Sequence, residues 1–283
     1  MSLNTKITFA LFLSSYCLIS TVYGEDSKSN EMNFTGSIDT SYNYLQQSNL
    51  FTSNVYNRVF DLNQNGVTLQ QAAGTASYLP NHGFGMLLNA MIGRDAVGSN
   101  AYGMGTWTNT PDFGVDVTQG FLRYSHSSNL YFDAGKFTTI NGAETISPTT
   151  NTNFSRSILF GYAGPFTTLG LRSTYVMSDK LKFILGMNDG WDTIRDFSRG
   201  PTLEFGNTIT FNSKFSLAST LYSGNQRLID KTSVGTESTR TLLDFLGTMN
   251  VTDKFTALIN YDYAWQNQAV LADGTVGRAI WNG

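Results

Sequence analysis

His82 and His126 are the two histidines of the chain, and the pattern described below puts each in a short turn. One imidazole per turn, in turns that read as distant from each other, is a poor metal site because a second ligand is missing. A hydrolase or protease would gather its catalytic groups in one place, and these two turns do not. Gly83-Phe84-Gly85 and Gly103-Met104-Gly105 are glycine-rich, but without a strand-to-helix context neither reads as a phosphate cradle. Asp39, Asp61, Asp95 and Asp112 are scattered, without the spacing of a calcium loop. The residue types therefore predict no enzyme, no cofactor and no bound metal.

A second set of residues has electrostatic rather than catalytic chemistry. Arg172, Glu204, Asp244 and Asp262, with Asn260, Thr208 and Thr210, lie on the polar side of segments in which polar and apolar residues alternate. In a pore such groups set the field felt by a passing ion, and one positive against three negative charges predicts a weak cation preference. The competing reading is that they pair with one another or fill a plugged interior. The connection 139–164 is long and carries Glu144 and Arg156. It reads either as a constriction folded into the lumen with those two charges or as an exposed outer loop.

The elements that position these residues are strands. In 33–45, Phe34, Gly36, Ile38, Thr40, Tyr42 and Tyr44 alternate with Asn33, Thr35, Ser37, Asp39, Ser41 and Asn43. Successive side chains of a strand turn to opposite faces, so one face is apolar and the other polar. The pattern recurs at 165–177, 201–211 and 255–266, with further strands at 67–79, 84–93, 116–125, 130–138, 181–190, 215–224 and 240–249. Strand 67–79 is the least regular. Short turns alternate with long polar connections at about 46–66, 94–115, 139–164, 191–200, 225–239 and 267–279. Three short turns share a motif around Lys180, Lys214 and Lys254, whose spacings of 34 and 40 residues equal a hairpin plus one long loop. The repeat unit is a hairpin and the sheet an antiparallel meander.

Composition narrows the setting. Charged residues make up 14% and aromatics 13%, with 27 glycines, 5 prolines and a net charge of −3. Past residue 24 no apolar run approaches the roughly 20 residues of a membrane helix. A coiled coil and a charged disordered chain are excluded, and without a Lys/Arg cluster nucleic acid is not a partner. Residues 1–24 read as a secretory signal: Lys6, the apolar stretch Ile7–Ser20, then Val22 and Gly24 at the cleavage positions. Cys17, the only cysteine, lies inside that stretch, leaving residues 25–283 with no thiol and no disulfide.

Three features favour a membrane over a soluble sandwich. The strands are longer than the usual five or six residues. Short turns at one end and long loops at the other are the arrangement of outer-membrane barrels. Aromatics form two girdles, with Phe183, Phe211, Phe215 and Phe255 by the short turns and Tyr44, Trp191 and Trp265 by the long loops. A sheet in hydrocarbon must close so that every backbone group is paired. Eleven full strands and a twelfth beginning at Ala279 do not close, so the chain reads as C-terminally incomplete.

Gly135-Lys136-Phe137-Thr138-Thr139, Gly142-Ala143-Glu144 and the run from Phe154 to Ala163 form one pattern, continued by Pro165–Arg172 and Asn188-Asp189-Gly190-Trp191-Asp192. This pattern resembles the β-barrel porin-2 (OmpL-like) family of bacterial outer membranes. The resemblance implies a passive pore and assigns no functional residues.

The expectation is therefore an all-β, transmembrane, antiparallel up-and-down barrel of about twelve strands or more in a Gram-negative outer membrane. It would be exported through the general secretory route and conduct ions or small polar solutes. The lumen-lining candidates are Arg172, Glu204, Asp244, Asn260 and Asp262, and the constriction candidates are Glu144 and Arg156. Partners would be outer-membrane lipid and permeating solutes, with no subunit contact indicated. The alternative is a non-conducting barrel that acts as a surface adhesin or receptor through its long loops.

Overall fold

The computed structural model describes residues 31–43, 58–61, 66–104, 113–195, 200–230, 233–271 and 275–283. The segment 1–24, expected to be an export signal, lies outside the described residues, as do Tyr44 and Asp112.

Twelve strands form one sheet in which each pairs antiparallel with its sequence neighbour. They are β1 Asn33–Asn43, β2 Gly66–Tyr78, β3 Gly83–Gly93, β4 Gly114–Ser125, β5 Leu130–Thr138 and β6 Thr167–Ser178. The second half comprises β7 Leu181–Asn188, β8 Thr202–Thr210, β9 Phe215–Asp230, β10 Ser233–Thr252, β11 Phe255–Val270 and β12 Val276–Asn282. Two short helices, α1 Asp95–Ser99 and α2 Ile158–Tyr162, lie in the connections. Among the described ladders, β1 pairs only with β2 and β12 only with β11.

Burial is inverted relative to a soluble protein. Ile38, Phe84, Leu122, Leu171, Leu185, Leu203 and Ile259 are exposed, from 57% at Leu171 to 78% at Phe84. On the opposite face of the sheet Asp116, Arg123, Asp133, Glu204, Asp244 and Asp262 are buried. Apolar side chains left bare on one face and charges withdrawn to the other suit a sheet with lipid outside and a polar interior.

Bulges interrupt the alternation of β2 and β4. Gln70 is the extra residue of β2 opposite Asp39-Thr40, which leaves the consecutive Gln70 and Gln71 both buried. Thr118 is the extra residue of β4 opposite Asn89-Ala90, and the inward set passes from Asp116 and Thr118 to Phe121, Arg123 and Ser125. A bulge shifts the two-residue period by one, so strict alternation fails where one occurs.

The three similar turns share a cause. Ser178 Oγ, Asn212 Oδ1 and Thr252 Oγ1 accept from the N–H groups of Lys180, Lys214 and Lys254 at 3.3, 2.8 and 3.2 Å. A short polar side chain that bonds the backbone two residues on closes a tight turn.

Some expectations need correction. The stretch 225–239 is not a long loop: β9 runs to Asp230 and β10 starts at Ser233, extending that hairpin. The connection expected at 267–279 shrinks because β11 reaches Val270 and β12 starts at Val276, not Ala279. Continued pairing satisfies backbone groups that polar side chains had suggested were looped out. His82 and His126 are not distant: their turns are neighbours, and the His82 ring nitrogen lies 3.2 Å from the His126 carbonyl oxygen.

Candidate functional site

The connection from β5 to β6 crosses the interior. Gly135, in β5, begins the path with φ of 144°. A Cβ there would strike the Gly120 carbonyl and lie 2.7 Å from Phe121 Cα, so only glycine allows this close approach. The bend leaves both Lys136 and Phe137 buried. From Thr139 onward the chain meets strands far from β5 in the sheet. The Ile140 N–H donates to Tyr222 Oη at 3.2 Å and Thr220 Oγ1 donates to the Ile140 carbonyl at 3.2 Å. The Gly142 N–H donates to Asp244 Oδ1 at 3.0 Å and the Ala143 N–H to Asn260 Oδ1 at 2.9 Å. Gly142 holds φ of 81°, the left-handed region open to glycine, which lets both N–H groups face β10 and β11.

The segment then returns to the opposite wall. Ile146, Phe160 and Phe166 pack with Phe60, Met91 and Ala96 in one buried cluster. Arg156 Nη2 lies 2.6 Å from Asp95 Oδ2, donates to the Ile146 carbonyl, and its guanidinium sits 4.3 Å from the centre of the Phe60 ring. Gln71 Nε2 donates to the same Asp95 oxygen at 3.1 Å. Burial raises the Asp95 carboxyl to about 6 against the opposing pull of Arg156. The far end is held by Asp192, whose Oδ1 accepts the N–H groups of Phe166 and Thr167 at 2.8 and 2.9 Å. Burial lifts this carboxyl to about 6 as well, although those two N–H groups, Lys136 and Arg240 pull it down.

The candidate residues therefore form two groups. Asp244, Asn260 and Asp262 come together: Asp244 and Asp262 are directly opposed in the β10–β11 ladder, and Asn260 Nδ2 donates to Asp244 Oδ2 at 2.5 Å. Arg172 and Glu204 form an ion pair at 2.9 Å, with the guanidinium 4.5 Å from the centre of the Phe137 ring. Glu144 and Arg156 do not meet. The Glu144 carboxylate accepts both the N–H and the hydroxyl of Ser157, while Ser157 Oγ caps α2 by accepting from the Phe160 N–H at 3.1 Å.

Several residues went unrecognised in the sequence. Arg123–Asp133 at 2.6 Å and Lys136–Asp116 at 3.2 Å are further interior ion pairs. The Arg123 and Asp133 positions were visible as cross-strand neighbours once β4 and β5 were aligned. The scattered acids gather around the crossing segment: Asp61 Oδ1 accepts from Ser155 Oγ at 3.2 Å, and Asp39 lies in the field of Arg156 beside Asp95. Trp191 does not join an outer girdle. It is half-buried against the interior cluster, edge-on to Trp281 at 6.4 Å, with the Arg240 guanidinium 4.9 Å from the ring centre.

An all-antiparallel meander, apolar without and charged within, defines the class of transmembrane β-barrels. The family model described as "Putative beta-barrel porin-2, OmpL-like" matches residues 31–281, and the chain belongs to that family. It is a porin-like barrel of the outer membrane. A crystal structure of a Pseudomonas aeruginosa FadL homologue is similar at 12% identity over 75% of this chain, with a TM-score of 0.33. The chain spans 64% of the length of that protein. No curated protein matches the chain.

Proposed function

We propose that the protein is a passive diffusion channel for ions or small polar solutes, with a weak preference for cations and no catalytic step. The supporting observation is the buried charge on the inner face. Among the described residues eight carboxylates are buried, including Asp39, Asp244 and Asp262, against four buried cations, Arg94, Arg123, Lys136 and Arg156. Arg123, Lys136 and Arg156, and with them the half-buried Arg172, are each matched by a carboxylate. Among the described residues neither Asp244 nor Asp262 forms a salt bridge. An acidic surplus along the wall of a pore favours passing cations. The chain would reach the membrane through the general secretory route, with residues 1–24 as its export signal.

The crossing segment gives the second reading its support, because it ties together strands on both sides of the interior. A barrel plugged in this way would work through its outer loops as an adhesin or receptor. Planar-bilayer recording under a salt gradient separates the two. The channel reading predicts discrete current steps and a reversal potential of cation-selective sign. Silence from protein shown to have inserted would favour the surface-interaction reading.

A further inference from the structure

Between the inner faces of β1 to β4 and the crossing segment lies a cavity of about 360 Å³, a size typical of small-molecule sites. Its strand wall carries Thr35, Thr75, Asn89 and Thr118, one on each of four successive strands. Thr35 is opposite Thr75 and Thr75 opposite Asn89 in the ladders. Asn89 Nδ2 donates to Thr75 Oγ1 at 2.6 Å, and the Thr118 hydroxyl donates to Asn89 Oδ1. The Thr118 bulge brings its hydroxyl to this row. The crossing segment faces it with further hydroxyls, among them Ser147 and Thr149.

The chemistry of this lining is selective by what it contains. Glu144 is its one charged residue, and that carboxylate is already engaged by the Ser157 N–H and hydroxyl. A hard cation would call for several oxygen ligands with net charge, and an anion for Lys or Arg. Hydroxyls and amides donate and accept alike, which matches a solute whose own polar groups are hydroxyls. Met91 and Phe166 add an apolar strip to the lining, suited to the C–H face of a ring. We propose that this cavity is a binding subsite for neutral polyhydroxylated solutes of mono- or disaccharide class. It deepens the channel reading and rests on it.

Maltose is the probe. Single-channel current through the full chain in potassium chloride is recorded with maltose added to one side, for the native protein and for Asn89→Leu/Thr118→Val. The proposal expects maltose to interrupt the native current at saturating concentrations. The double variant should keep its ionic current and need about tenfold more maltose, since two hydrogen-bonding groups are lost. Current steps that maltose leaves unchanged, or equal block of both proteins, would overturn the subsite while leaving the channel intact. Absence of steps would count against the channel, and calorimetric titration of the detergent-solubilised chain would then decide the subsite. Saturable maltose heat that the double variant weakens would support it, and no saturable heat in the native chain would end it.

Discussion

Arg156 shows how much of this interior depends on single charges. It is 2% exposed, bonded to Asp95 and stacked over Phe60. Removing one partner of a buried pair leaves the other charge uncompensated, at about 3–5 kcal/mol. Arg156→Gln should therefore loosen the crossing segment, seen as faster amide hydrogen exchange across residues 140–166 than in native protein. Unchanged exchange there would mean that the segment's other contacts hold it without this ion pair. Gly135 makes the complementary backbone test. Gly135→Ala forces a side chain against Gly120 and Phe121 at positive φ. A loss of about 1–3 kcal/mol is expected, measured as a lower urea midpoint of the refolded barrel. The Gly135-Lys136-Phe137 motif was conspicuous in the sequence, but the reason for its glycine lies in a neighbouring strand and could not be read from β5 alone.

At the level of elements, the crossing segment is the part most able to respond to conditions. Two of its anchors, Asp95 and Asp192, lie outside the strands and both have carboxyls raised from 3.8 to about 6 by burial. A segment lifted into water would return them toward their ordinary values. Between those values the docked form binds protons that the lifted form does not, so acidification favours docking and rising pH favours release. If the segment limits flow, mean current should be smaller near pH 5 than near about pH 7.5. A current independent of pH across that window, or one that rises on acidification, would count against this linkage. Sequence spacing flagged 139–164 as too long for a plain connection but left its direction open. That direction is set by contacts to β9, β10 and β11, partners some 80 to 117 residues away that no local pattern encodes. The strands were legible because period-two alternation is local, except at Gln70 and Thr118, where a bulge breaks the period.

For the whole molecule, the decisive property is which face meets lipid. Leu185 is 58% exposed on the outer side of β7. In a soluble protein an exposed Leu→Arg change is nearly neutral, whereas at mid-depth in a bilayer it costs about 2–4 kcal/mol. Leu185→Arg should therefore impair folding into lipid vesicles, read as a lower folded fraction. The most direct test is a nitroxide scan along β6, made easy because Cys17 is the only native cysteine and is replaced by serine for the experiment. Spin labels at positions 171, 175 and 177, the sites of exposed Leu171, Tyr175 and Met177, should collide with lipid-dissolved oxygen. Labels at 172 and 174, where Arg172 and Thr174 face inward, should be shielded from it. That two-residue alternation is the result the inside-out barrel predicts. Water-accessible labels at 171, 175 and 177, with no access to oxygen in the lipid, would contradict it.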